Sequence, residues 1–294
     1  MLDCLVIGGG PAGLLAGVYL GRYLRNVRVI DAGASRAEKI PESHNYPGFF
    51  GIAGPELLRR LNAQARQYGA EVVSGRVISL RKCGKSFVAT CSDGEVSARF
   101  ILLATGLVDR CPAVEGQPED CPSEVVRYCP ICDGYEVVDY RVGVLGDMKA
   151  GGKKALFLRT YTQDVTLFLT DAREDAEWQA KLAKGNVKIV EEVHQVRQGT
   201  ENTITVVAKQ GKIHEVDAFY PALGCDVRSK LATELGASST EDGNLQVDDH
   251  RRTTIDGLYA AGDVVTDLHQ LSVAFGHAAI AATDIHNRLP PNPR

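Results

Sequence analysis

Short unbroken apolar runs alternate with helical stretches along this chain, and several of the runs stop at a glycine. Run 5–7 ends at Gly8, run 101–104 at Thr105 and Gly106, run 142–145 at Gly146, and run 258–261 at Gly262. An apolar run of this length without polar alternation reads as a strand buried on both faces, as in parallel sheets covered by helices. Runs 27–30 and 165–169, interrupted by Arg28 and Thr166 respectively, also read as strands, and helical stretches are expected over 14–24, 155–161 and 271–285.

The first of these units is the most specific. Strand 5–7 passes through Gly8, Gly9, Gly10, Pro11, Ala12 and Gly13 into a helix. Gly8 makes the tight turn, Gly10 lets backbone amides approach a pyrophosphate, and Gly13 lets the helix lie close to the strand. The helix N-terminus offers free amides and the positive end of a dipole. Strand 27–30 then puts Asp31 where an acid takes ribose hydroxyls. With strand, helix and acid in register, the pattern reads as a dinucleotide site. Two later strand ends narrow the ligand to a flavin. Small residues at Ala104, Thr105, Gly106 and Gly262 let a bulky group pass over the sheet, and Asp263 is placed to accept hydrogen bonds from a ribityl chain. The helix after Gln270, starting at Leu271, aims its first amides at negative charge on a flavin ring.

Composition changes the picture only modestly. With 294 residues, 44% hydrophobic, the chain is long enough for one large or two medium cores, and two domains are expected. A net charge of -4 without a clustered Lys/Arg run argues against nucleic acid or an anionic membrane as partner; Arg251 and Arg252 read as ordinary surface. No run has the length of a membrane span, and the start of the chain resembles no targeting segment, so a cytoplasmic protein is expected.

There are eight cysteines. Cys4, Cys83, Cys91, Cys111, Cys121 and Cys225 read as small buried or partly buried residues. Cys129 and Cys132, followed by Asp133 and Gly134, are different: two thiols one short turn apart beside a carboxylate exchange with disulfides. Zinc would need two further ligands, and no second pair occurs, while His194 and His214 stand alone.

Taken in order, Gly8 to Gly13, the Asn45-Tyr46-Pro47-Gly48 stretch, the Ala104 to Gly106 turn, the Cys129 to Gly134 motif, and Ala261 to Asp263 with Gln270 resemble the low-molecular-weight thioredoxin reductase family of flavoprotein disulfide reductases, nearly end to end. The resemblance implies an α/β protein of two Rossmann-like domains, three-layer and of the FAD/NAD(P)-binding type, the second inserted in the first. Segments 1–111 and 244–294 would form the FAD domain and 112–243 the inserted domain with the redox cysteines. Pro112, Gly116, Pro118 and Pro122 mark the inward crossing and the turn-rich stretch 236–243 the exit. It implies FAD contacts at Gly8, Gly10, Pro11, Ala12, Gly13, Asp31, Asn45, Val77, Ala104, Thr105, Gly106, Gly262, Asp263, Gln270 and Leu271, a homodimer, and thioredoxin or a similar disulfide protein as partner. By the same analogy Cys132 is the sulfur nearer the flavin, Cys129 the thiol that attacks the partner, and Asp133 the acid that protonates the departing thiolate. Pro130 suggests that the pair opens a helix that lowers a thiol pKa.

The inserted domain departs from the family. Its turn reads Gly146, Asp147, Met148, Lys149, Ala150, Gly151, with Met148 where a side chain intrudes on a pyrophosphate and Asp147 adding negative charge. Strand 165–169 ends in Thr170 rather than in the family's His-Arg-Arg cluster, and Arg173 is surrounded by Asp171, Glu174 and Asp175. NADPH is therefore not the expected donor; NADH is less easily excluded, since Asp171 suits an unphosphorylated ribose. Lys153 and Lys154 read as a solvated helix face or as contacts for an anion. The pattern resembles the branch that takes electrons from reduced ferredoxin, some members of which carry a second, tandem FAD. That branch often has a C-terminal aromatic or histidine over the flavin; here only His286 is available. Three alternatives stay open: an NADH-dependent disulfide reductase, a dithiol oxidase acting on small molecules with oxygen, which Cys-Pro-x-Cys followed by Gly134, Tyr135 and Glu136 also resembles, and a flavin-binding thiol sensor.

Overall fold

The computed structural model describes residues 1–116, 125–171, 175–200, 202–266 and 268–292. Strand β1 (Leu2–Ile7) turns into helix α1 (Pro11–Arg22); β2 (Val27–Asp31), α2 (Gly54–Gln67) and β3 (Glu71–Ser74) repeat the alternation, and an antiparallel excursion follows in β4 (Val77–Cys83), β5 (Ser86–Cys91) and β6 (Gly94–Leu103). After β7 (Leu107–Asp109) come α3 (Pro130–Asp133), β8 (Val142–Gly146), α4 (Ala150–Leu158), β9 (Val165–Leu169), α5 (Ala176–Lys184), β10 (Lys188–Val190), β11 (Gln195–Gln198), β12 (Ile204–Val207), β13 (Ile213–Val216) and β14 (Ala218–Ala222). The remainder is β15 (Cys225–Val227), α6 (Lys230–Thr233), β16 (Leu258–Ala260) and α7 (Leu271–Arg288). By contacts the chain forms two compact units, Met1–Val108 with Asp226–Arg294, and Asp109–Cys225.

In the first unit the sheet runs β3-β2-β1-β6-β5-β4, with β16 also paired to β6. Strands β1, β2, β3, β6 and β16 are mutually parallel, and Ile7 stands beside Leu103, which stands beside Ala260. Alternation sends Cys4 and Val6 to one face, under α1, α2 and α7, and Leu5 and Ile7 to the other, against Phe87, Leu80 and Leu245. Both faces are dry along Cys4 to Ile7 and Ile101 to Leu103, which is why those stretches are unbroken apolar runs.

The second unit has a parallel sheet, β10-β9-β8-β14, and an antiparallel one, β11-β12-β13. Helix α4 lies on β8 and β9 because glycine permits it: a Cβ on Gly151 would stand 2.7 Å from Leu167 Cδ1. The fold is thus the α/β, Rossmann-like one expected.

Several local expectations need correction. The chain rejoins the first unit at Asp226, not near residue 243, because Ala232 and Ala237 are buried with Phe87 and Leu80 on the first sheet. Helix α4 starts at Ala150 rather than 155, and α1 at Pro11 rather than 14. Cys83 and Cys111 are exposed, whereas Cys4 and Cys91 are buried. Arg252 is no idle surface residue: its guanidinium holds Asp284, 8% exposed, in two hydrogen bonds, one of 2.7 Å. Pro118, Cys121, Pro122, Arg173, Glu174 and Pro293 lie outside the described residues. Among the described residues no helix is long and apolar enough to cross a membrane, and no group of three or more His, Cys, Asp or Glu is placed to hold a metal.

Candidate active site

The C-terminal ends of β1, β6 and β16 meet along one edge of the first sheet. Ala104 donates its N–H to Ile7 O at 2.8 Å, Ala261 to Leu103 O at 2.9 Å, and Gly8 to Ile30 O at 2.9 Å. Gly8, at φ +112°, lies so near β6 that a Cβ would be 2.3 Å from Ala104 O, and a Cβ on Gly13 would be 1.9 Å from Gly8 O. Only glycine closes this turn. Gly10 caps α1 and Pro11 opens it, with no side chain on the first amides. Ala12 faces Gly262, which has φ +80°. Oδ1 of Asp31 accepts the N–H groups of Gly9 and Gly33, both at 3.2 Å.

The other expected residues gather on this unit as well. Thr105 Oγ1 donates to Arg228 O at 2.7 Å, and Gly106 O accepts Arg228 N–H at 2.9 Å. Asn45 Nδ2 donates to Gln270 Oε1 at 2.9 Å, with Gln270 the capping residue of α7 and Leu271 its first turn. Asp263 lies 3.4 Å from the Arg36 guanidinium, a partner sequence reasoning had not named. Val77 is the exception: its side chain is buried with Leu80 and Phe87, while nearby Gly75 donates its N–H to Asp31 O at 2.8 Å. His286 does not cover this edge. It stacks on Tyr23 and accepts from Arg25 Nε at 2.9 Å, at the C-terminal ends of α1 and α7, whereas the turns lie at their N-terminal ends.

An uncapped helix start, a glycine cradle with no room for a Cβ, and an acid at the end of the second strand fit the pyrophosphate and ribose of an adenine dinucleotide.

In the second unit Cys129 and Cys132 form a disulfide. Cys129 caps α3 and Pro130 is its first residue; Cys129 O accepts the N–H groups of Cys132 at 2.9 Å and Asp133 at 3.2 Å. The helix is a single four-residue turn, so its dipole is a weak influence on either thiol. Tyrosine and arginine flank the adjoining acid instead. Asp133 Oδ1 accepts Tyr220 O–H at 2.8 Å, and Oδ2 is 3.6 Å from Arg127 Nη1. Burial raises the Asp133 pKa to about 6; the Tyr220 hydrogen bond and the Arg127 charge pull it down, Glu136 pushes it up, and Lys154 pulls it down. A carboxyl titrating there suits acid and base work near neutrality.

Lys154 is not a solvated face. Its ammonium donates to Tyr128 O at 3.0 Å and Pro221 O at 2.6 Å, tying the segment before Cys129 to β14; Lys153 is exposed. Sequence reading missed Tyr220 and Arg127. The signals were a hydroxyl in an otherwise apolar strand and a charge directly after Val125 and Val126.

The second nucleotide-type turn is closed from within. Asp147 Oδ1 accepts Lys149 N–H at 2.8 Å and Ala150 N–H at 2.6 Å, and Asp147 O accepts Gly151 N–H at 3.0 Å. Met148 is 5% exposed and packs in the cluster with Val144, Leu158 and Leu167, so its side chain belongs to the core. The side chain on the first amides of α4 is that of Asp147.

A dinucleotide edge on one α/β unit and a disulfide beside a half-buried acid on another define a flavin-dependent thiol-disulfide oxidoreductase. The chain belongs to the pyridine nucleotide-disulphide oxidoreductase family, whose model matches residues 2–281, and that family implies FAD. It is similar to the thioredoxin reductase of Bacillus subtilis (strain 168), 28% identical over 97% of this chain and 94% of that protein. Among solved structures it is similar to HlmI, with TM-score 0.90 and 28% identity over 97% of this chain and 92% of that one. The thioredoxin reductase of Streptococcus pyogenes MGAS5005 gives TM-score 0.88 and 27% identity, covering 98% and 97% of the two chains.

Proposed function

We propose that this enzyme reduces a protein disulfide through Cys129 and Cys132 with electrons from a donor other than NADPH. The observation that carries the donor is the Asp147 carboxylate on the amides of Lys149 and Ala150. A dinucleotide pyrophosphate needs those amides free and no competing negative charge beside them. Here it would displace a short carboxylate bond and meet like charge. The same cap disfavours NADH and a second FAD in that cleft, which leaves an external donor of reduced-ferredoxin type delivering electrons to the FAD of the first unit. Resemblance to the ferredoxin-linked branch supports that choice.

In this reading Gly8, Gly10, Pro11, Ala12 and Gly13 hold the FAD pyrophosphate, Asp31 its ribose, and Val77 its adenosine through the main chain. Ala104, Thr105, Gly106, Asn45, Gly262, Asp263, Gln270 and Leu271 hold the flavin half. Bound FAD supplies the electron pair that returns Cys129 and Cys132 to thiols. From the dithiol form, Cys129 attacks the partner's disulfide, forming a mixed disulfide and releasing one partner sulfur as a thiolate. Asp133 gives that sulfur its proton. Cys132 then attacks the Cys129 sulfur, freeing the second partner thiol and restoring the Cys129–Cys132 disulfide; two electrons and two protons have moved to the partner. The relatives named thioredoxin reductase support thioredoxin as that partner, and so does the apolar surface beside the pair, where Ile131 is 49% and Tyr135 79% exposed.

A closed nicotinamide cleft equally favours the opposite direction, oxidation of small dithiols with oxygen as electron acceptor, because that reaction needs no nicotinamide. Flavin per chain followed by anaerobic titration separates the readings. One flavin, no bleaching by NADPH or NADH, and bleaching by reduced ferredoxin with thioredoxin turnover support the proposal. Rapid bleaching by NADPH overturns it, and oxygen consumption driven by small dithiols without thioredoxin turnover selects the oxidase.

A further inference from the structure

The acid beside the redox pair is held from the sheet below it, by a residue with no place in the chemistry described so far. Tyr220 lies in β14, where it stands beside Val144 of β8 and is wholly buried. Its ring packs in the apolar cluster of the second unit, and its hydroxyl is the polar tip that reaches Asp133 Oδ1 at 2.8 Å. A buried hydroxyl needs a partner, and a half-buried carboxyl gains from a donor. Each supplies the other here.

The two carboxyl oxygens are consequently unequal. Oδ1 is engaged by Tyr220, whereas among the described residues Oδ2 has the Arg127 guanidinium at 3.6 Å, beyond hydrogen-bond reach. The Asp133 side chain keeps 23% of its surface exposed, so it remains accessible to a reacting group. We propose that Tyr220 is a positioning residue for proton transfer at the redox turn, pinning Oδ1 of Asp133 so that Oδ2 carries the proton exchanged with the partner's sulfur. The step is balanced: the O–H bond at Oδ2 breaks as the S–H bond of the departing sulfur forms, and the resulting carboxylate stays bonded to Tyr220. The proton cannot come from Tyr220 itself, because burial and the adjoining Asp133 charge raise its pKa far above its ordinary value.

The groups facing Asp133 come from four elements: Tyr220 on β14, Arg127 ahead of the redox turn, Glu136 after it, and Lys154 on α4. Of these, Tyr220 alone makes a hydrogen bond to the carboxyl, and its bond favours the carboxylate. Losing it therefore moves Asp133 toward a higher pKa.

The inference rests on Asp133 being the acid, and the test separates the two claims. Tyr220→Phe keeps the buried ring and removes only the hydroxyl. The Asp133 carboxyl stretch, assigned in infrared spectra of the oxidised holoenzyme by its loss in Asp133→Asn, is titrated in wild type and Tyr220→Phe. Its midpoint is expected to rise by about one unit in the variant. The thiol half-reaction, followed against pH with a disulfide substrate, is expected to show the same displacement of its Asp133-dependent limb, with flavin absorbance unchanged. An unmoved infrared midpoint, or a rate lowered equally at every pH, overturns the role of Tyr220. A midpoint that moves while the half-reaction ignores Asp133→Asn overturns Asp133 as the acid, and the proposal about Tyr220 falls with it.

Discussion

Oδ1 of Asp147 accepts the backbone N–H of Ala150 at 2.6 Å, so the first amide of α4 is bonded to a carboxylate of its own chain. The equivalent start of α1 carries no side-chain cap. The two turns share the close glycine contacts between strand and helix and differ in whether the helix start is free to receive an anion.

That cap is expected to stabilise the second unit. Asp147→Ala should lower the unfolding free energy by about 1 kcal/mol, and Asp147→Asn, which retains an acceptor oxygen, by less. Urea unfolding measures both, and an Ala variant as stable as wild type would mean the carboxylate does not cap the helix in solution.

Cys129→Ser should leave the flavin spectrum intact and lower disulfide reduction on the order of a thousandfold or more. Cys132→Ser should instead accumulate a covalent adduct between Cys129 and the partner, visible as a mass increase equal to the partner. Retained turnover in the Cys129 variant refutes the assignment of the attacking thiol.

Asp133 gives stability a defined pH dependence. Its carboxyl keeps its proton in the folded protein up to about 6, principally through burial, while in the unfolded chain it ionises near about 4. The folded state therefore binds more protons between these values, and the contribution is complete below the lower one and lost as pH rises through the upper. The loss is at most about 3 kcal/mol. Asp133→Asn should gain stability relative to wild type across this window and hold the gain above it. Parallel urea midpoints for the two proteins from acid to neutral pH would contradict the raised pKa.

Gly13→Ala places a methyl 1.9 Å from Gly8 O and must lift α1 from β1. The expected cost is about 1–3 kcal/mol, with less flavin retained per chain. Gly276→Ala is the control: a Cβ there meets nothing within 4 Å, and the change in a helix interior should stabilise by about 0.5–1 kcal/mol. Equal flavin content and thermal midpoints for the two variants would show that the glycine contact is not tight.

Local chemistry made much of this protein legible from its sequence. Apolar runs ending in glycine specify buried parallel strands with tight turns, because no other residue adopts the Gly8 backbone or leaves room at Gly13. Two cysteines one turn apart with Asp133 adjoining read as a redox pair because the flavin-type strand ends and glycine turn accompany them; the spacing alone could arise by chance. What remained hidden depends on residues far apart in the chain. Met148 looked like the obstruction in the second turn, yet it is buried in the core cluster with Leu167, and Asp147 bonds to the first amides of α4. His286 looked available to cover a flavin, but Arg25 and Tyr23 hold it at the opposite end of α1. Tyr220 gave no signal, and Lys154 read as a solvated helix face or as a contact for an anion. Strand pairing decides otherwise: β14 beside β8 carries a hydroxyl to Asp133, and a lysine on α4 reaches the carbonyls that fix the redox turn. Sequence determined which residues can react, since that follows from side-chain type and short spacing. Tertiary structure decided which of them are protonated, pinned or closed to ligand, since burial and long-range hydrogen bonds exist only once the strands have paired.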